Sequence, residues 1–157
     1  MYSLALIAWL SLCAVQDARS KRVANGLTLG GLALAGLYLL LTGHTLLGAP
    51  ALDAAMAFGL ALSFGLPGYA LGRFGAADVK LLMLLAVASD SLHLLLSLVG
   101  AGLGLALWAS LAPHLWPRLA AGMQTRMAAM APNATKTYPF APFLLAGLLM
   151  AYYWPSL

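Results

Sequence analysis

Acidic side chains number only four, all of them aspartates, and the chain contains no glutamate. Charged residues of both signs make up 8% of its 157 residues, against about 25% in soluble domains, so a normal water-facing surface is excluded. The single cysteine, Cys13, rules out an internal disulfide and a paired-cysteine zinc site, and its apolar neighbours point to a buried packing role. Eight scattered basic residues form no run or stripe, which sets nucleic acid aside as a partner despite a net charge of +4. The sequence also lacks a P-loop, a Gly-x-Gly-x-x-Gly before a helix and a Gly-x-Ser-x-Gly elbow; Ser110 and His114 have no acid nearby to orient them.

What the chain does have is apolar length, with 63% hydrophobic residues and a mean hydropathy of +0.93. Apolar segments at 1–16, 26–43, 51–71, 77–89, 91–112 and 138–155 are separated by turn or charge signals. The lipid bilayer is therefore the expected solvent. The fold class is all-α: a polytopic membrane protein of six transmembrane helices, a single domain over 1–157, with its oligomeric state open. Segment 77–89 is short for a hydrocarbon core of about 30 Å, and 81–112 as one long tilted helix gives a five-span alternative. Six spans put Arg19, Lys21, Arg22, Arg73, Lys80, Arg118, Arg126 and Lys136 on one side, and five split them. Basic residues in short loops stay cytoplasmic, so six spans with both termini outside are expected. The first segment carries its charges after the apolar run rather than before it, which reads as a retained span and not a cleaved signal peptide.

Within this topology His44 and His93 fall near the outer face and His114 near the inner one, so the three share no metal, and no metal or cofactor is expected. Gly26, Gly30, Gly31 and Gly36, then Gly100, Gly102 and Gly104, are small residues suited to close helix packing. The longest polar stretch, 113–137, forms a cytoplasmic loop in which Met123, Met127 and Met130 recur at helical spacing around Arg126. That spacing predicts a short amphipathic helix on the membrane surface.

Two aspartates stand where helices meet the cytoplasm: Asp17 at the end of the first span and Asp78 at the start of the fourth. Ionisable groups in such places are functional candidates. Two carboxyls brought together share one proton, so that the ionised one draws a proton from water while the other polarises a peptide carbonyl. The plainer alternatives are an Asp17–Lys21 pair at i, i+4 and Asp78 as a helix N-cap.

The pattern Asp17-Ala-Arg19-Ser-Lys21-Arg22-Val-Ala-Asn25, the run Gly75-Ala-Ala77-Asp78-Val-Lys80-Leu81 and the motif Pro139-Phe140-Ala-Pro142-Phe143 resemble those of the type IV prepilin peptidases, among them the short tight-adherence-type members. The resemblance runs from Asp17 to Phe143. It implies a six-span aspartic endopeptidase of the bacterial inner membrane, with Asp17 and Asp78 catalytic at the cytoplasmic face. Its partners would be prepilin or pseudopilin substrates, whose short basic leader it removes. Asn25 would orient its loop, Lys80 would mark the interface or tune Asp78, Gly75 would form the turn into the fourth span, and Pro139 and Pro142 would set the angle of the last, with Phe140 a further residue of that motif. Larger members carry a cysteine-paired domain associated with methylation; nothing here corresponds to it, so peptidase without methyltransferase activity is expected. Ala77 departs from the family's glycine before the second aspartate. That departure keeps open a catalytically silent relative acting as a pilin-binding or assembly scaffold. A small transporter is disfavoured because no broken helix marks a midplane site.

Overall fold

The computed structural model describes residues 2–132 and 137–153, and over them the protein is helical without a strand. Lys136 and the end of the last predicted span, at 154–155, lie outside the described residues. The helices are α1 (Tyr2–Ser20), α2 (Asn25–Thr42), α3 (Ala51–Ala70), α4 (Ala76–Ala88), α5 (Ser91–Leu115), the short α6 (Ala121–Arg126) and α7 (Ala141–Tyr153). Among the described residues three stretches are long and apolar enough to cross a membrane, namely α2, α3 and Ser91–Arg118, with α7 a shorter apolar helix.

Local chemistry sets the boundaries. Gly43 ends α2 in the left-handed region, its N–H bonding back to the Leu39 carbonyl. Asp90 accepts the His93 N–H at 2.8 Å and so caps α5. Because the backbone leaves the helix at Ser89 and restarts after this cap, residues 81–112 form two helices rather than the single long one of the five-span alternative.

Neighbouring contacts give each helix its direction. Gly31 meets Trp9, Gly65 meets Val79 and Gly104 meets Phe143, so α1 with α2, α3 with α4, and α5 with α7 pack antiparallel. The Asp17 contact with Ala141 and the Tyr152 contact with Ser3 make α7 antiparallel to α1 as well. One end of the bundle thus gathers Arg19, Lys21, Lys80 and Arg126, and the other holds Asp53, where Ser91 Oγ donates to the carboxylate at 2.6 Å.

The shortest of the main apolar segments forms the middle of the bundle. Val79, Leu81, Leu82, Leu84, Leu85, Ala86 and Ala88 of α4 are all buried, and α2 and α3 pack along it. A helix that is apolar on every face belongs in such a place. At 1.5 Å per residue α4 is only about 20 Å long, which its position permits because other helices rather than lipid meet most of its surface.

Helices α5 and α7 approach closely through two glycines. A Cβ on Gly147 would collide with the Ser97 carbonyl, and one on Gly100 would lie 2.7 Å from the Gly147 Cα. Gly100 therefore serves the packing role expected of it, but Gly26, Gly30, Gly36 and Gly102 face nothing within 4 Å. The methionine spacing of the polar stretch does not run as one helix either. The chain turns out of α6 at Met127, and Met130 folds back into the core because Trp108 Nε1 donates to its carbonyl at 3.1 Å.

Cys13, fully buried in the core, supplies an intrinsic reporter of unfolding. Gly147→Leu is expected to lower the temperature at which Cys13 becomes reactive to a maleimide in detergent by about 5 °C or more, the consequence of overpacking by roughly 1–3 kcal/mol. An unchanged temperature would show that α5 and α7 are not held in close contact.

Candidate active site

Asp17 lies in the last turn of α1 and is only 3% exposed. A buried carboxylate needs donors, and the first amides of a helix need acceptors. The start of α7 meets both needs: the Ala141 N–H donates to Asp17 Oδ2 at 2.9 Å, with the Phe140 amide adding to it. Asp78 sits in the first turn of α4, three residues past Gly75, the residue that caps that helix. Its Oδ2 accepts the Gly75 N–H at 2.7 Å. Asp78 is therefore not the N-cap itself but the acidic half of a capping arrangement, with its carboxylate turned back across the helix start.

Both carboxylates line one cavity of about 150 Å³ together with Lys21, Gly72, Phe74, Ala77 and the stretch Thr137–Phe140. This volume exceeds the roughly 15 Å³ needed to hold a water. The aspartates are near enough to act on each other electrostatically, and Lys21 acts on both. Phe74 and Phe140 brace the rim, their rings 4.9 Å apart and tilted by 44°. Gly72, at φ 67, takes the left-handed conformation in the α3–α4 turn, whereas Gly75 is extended. The left-handed turn ahead of α4 thus lies at Gly72, and Gly75 caps the helix.

The remaining expected residues divide. Pro139 and Phe140 are buried in the cavity wall. Pro142 occupies the first turn of α7, where a missing N–H is tolerated, and faces a separate groove with Arg19 and Arg126. Lys80 and Asn25 pair with one another, the ammonium donating to Asn25 Oδ1 at 2.8 Å. Among the described residues the cation beside the aspartates is instead Lys21, whose side chain reaches Thr137 Oγ1 at 2.7 Å rather than the expected i, i+4 partner. Lys21 has left the helix, at φ 51, so the helical spacing that would bring it to Asp17 no longer applies. Ala77 lines the cavity from within α4 and has no positive φ, so its methyl group introduces no backbone strain.

Sequence reasoning missed Lys21, Phe74, Thr137 and Tyr138 as parts of this cavity. The aromatic Phe74 in a glycine-flanked turn was a usable signal; the contact between residues 21 and 137 had none.

Two backbone-anchored carboxylates facing one small cavity at the end of an apolar helical bundle are the equipment an aspartic peptidase requires. The sequence model of the type IV leader peptidase family matches residues 4–110, a range that includes both aspartates, and the chain belongs to that family. Membership makes it a type IV leader peptidase-like protease, and with its apolar helices it is a membrane protein. No curated protein and no solved structure matches the chain.

Asp17→Ala is expected to leave the Ala141 amide without its acceptor and to destabilise the protein by about 1–3 kcal/mol. Asp17→Asn, which retains an acceptor oxygen, is expected to lose less than half as much. The Cys13 reactivity temperature of the two variants measures the difference.

Proposed function

We propose that the chain is a membrane-embedded aspartic endopeptidase that removes the short basic leader of prepilins or pseudopilins at the cytoplasmic face of a bacterial inner membrane. In this reading it crosses the bilayer six times as one domain over 1–157, with both termini outside and 113–137 as a cytoplasmic loop. The alternating helix directions support the reading, as does the gathering of basic side chains at one end, the side that positive loop residues favour. The observation that carries it is the single cavity lined by Asp17 and Asp78, which come from opposite ends of two separate helices.

The mechanism follows from the carboxyl chemistry. One water sits between the two aspartates. The ionised carboxylate takes its proton as the oxygen attacks the scissile carbonyl, while the protonated partner donates to the carbonyl oxygen. Collapse of the tetrahedral intermediate passes a proton to the leaving amine and restores the shared-proton state, a property of the pair rather than of either residue. The Gly75 and Ala141 amides hold one oxygen of each carboxylate in place throughout, so the reaction needs little rearrangement of the site. The substrate arrives as a basic leader joined to an apolar helix, and an active site at the bundle end places the junction between those two parts at the aspartates.

The second reading, a silent relative that binds or scaffolds pilin subunits, rests on Ala77. The unstrained helical backbone at that residue weakens it, because the remaining consequence of the substitution is one methyl group in the cavity wall.

Co-expression with a candidate prepilin from the same genome separates the two. Wild-type protein is expected to shorten the pilin band, Asp17→Asn and Asp78→Asn each to abolish shortening, and Ala77→Gly to behave like the wild type. Cleavage that survives either asparagine variant would remove the aspartate pair from the mechanism. Cleavage by Ala77→Gly alone would establish a silenced peptidase.

A further inference from the structure

Among the described residues one non-glycine backbone occupies the left-handed region, that of Lys21 at φ 51. For a residue with a Cβ this conformation is unfavourable and persists where the surroundings enforce it. Three hydrogen bonds do so here. The Lys21 N–H donates to the Asp17 carbonyl at 2.7 Å, the Ala24 N–H donates across the loop to Gln16 Oε1 at 2.7 Å, and the Lys21 ammonium donates to Thr137 Oγ1 at 2.7 Å. The result is a turn that brings the ammonium into the cavity of Asp17 and Asp78, fastened to the segment leading into α7.

We propose that Lys21 is a positioning residue of the aspartate pair: its ammonium, held back by the left-handed turn and the Thr137 hydroxyl, sets how the two carboxyls share their charge. The proposal rests on the peptidase reading above and deepens it. Among the described residues the ion pair within 4.0 Å is His93 with Asp90, at the other end of the bundle, and Lys21 closes none on either aspartate. A direct pair would pin one carboxylate in its ionised form and occupy space the water needs. Anchored on Thr137, the ammonium instead acts on both through space, and the electrostatics of each aspartate include it.

Other charged and titratable groups near the site, among the described residues, have places of their own. Tyr138 lines the cavity from the α7 side, Lys80 of α4 is engaged by Asn25 of α2, and Arg22 lines the more open groove outside with Asn25 and Gly75. Among the described residues Lys21 is thus the cation that lines the cavity itself, and no local sequence pattern would distinguish it from Arg19 or Arg22.

The test uses full-length protein in proteoliposomes and three variants. Lys21→Asn removes the charge while keeping a residue that tolerates the left-handed turn; Lys21→Arg keeps the charge; Thr137→Val removes the anchor. Two profiles are measured against pH: cleavage of a prepilin, and labelling of Asp17 and Asp78 by a hydrophobic carbodiimide, which reacts with protonated carboxyls and needs no activity. Loss of the ammonium makes ionisation of the pair harder, so in Lys21→Asn both profiles are expected to move to higher pH by about one unit. Lys21→Arg is expected to stay near the wild type. Thr137→Val frees the ammonium to close on a carboxylate and is expected to move them the other way, to lower pH, with no effect of its own once combined with Lys21→Asn. Unchanged labelling in Lys21→Asn, or an equal shift in Lys21→Arg, would overturn the proposal. If no prepilin is cleaved at any pH while labelling still shifts, the peptidase reading fails and the control of the pair by Lys21 stands.

Discussion

A carboxylate buried at the end of one helix and the unpaired amides at the start of another are each unstable alone, and in this protein each removes the other's penalty. The bond from the Ala141 amide to Asp17 ties α1 to α7 and closes one wall of the cavity. Phe140, immediately before it, reaches Phe74 on the α3–α4 turn, and Thr137 reaches Lys21 on the α1–α2 loop. The loops that line the cavity are thereby held through α7. Asp17 is consequently part of the architecture, and a substitution there disturbs it unless it keeps an acceptor oxygen.

The second aspartate is held differently. Asp78 stands in the first turn of the central helix, and its position follows from the packing of α4 rather than from a contact across the bundle. Leu81, Leu82, Leu84 and Leu85 are each 2% exposed or less, so α4 has little freedom to rotate or slide. The Gly75 amide then fixes the carboxylate against its own helix start. One carboxyl is thus attached to a tertiary junction and the other to a rigid core element. Placing reactive groups on rigid elements is how a site keeps its geometry.

The cations show where local reasoning stops. Lys80 lies two residues from Asp78 and reads as its natural electrostatic partner, yet its ammonium is engaged by Asn25. Lys21 reads as an i, i+4 partner of Asp17 only while α1 continues through it. The helix ends at Ser20 and the left-handed turn redirects the side chain to a residue 116 positions away. The glycines follow the same rule. Gly100 and Gly102 look equivalent in a stripe of small residues, but the first faces α7 at close range and the second faces nothing.

Composition alone identified a helical protein suited to lipid, because so few charges and so many apolar residues leave no other solvent. Turn signals located the main apolar helices to within a few residues, since the ends of helices are governed by local bonds such as those at Gly43 and Asp90. Asp17 and Asp78 were legible as candidates because ionisable groups at the ends of apolar helices are conspicuous. That they line one cavity was decided only by the tertiary structure, as were the choice of Lys21 over Lys80 and the fold-back of Met130. Each of these depends on contacts between residues distant in the chain, and no periodicity or local propensity encodes which distant partner a side chain will meet.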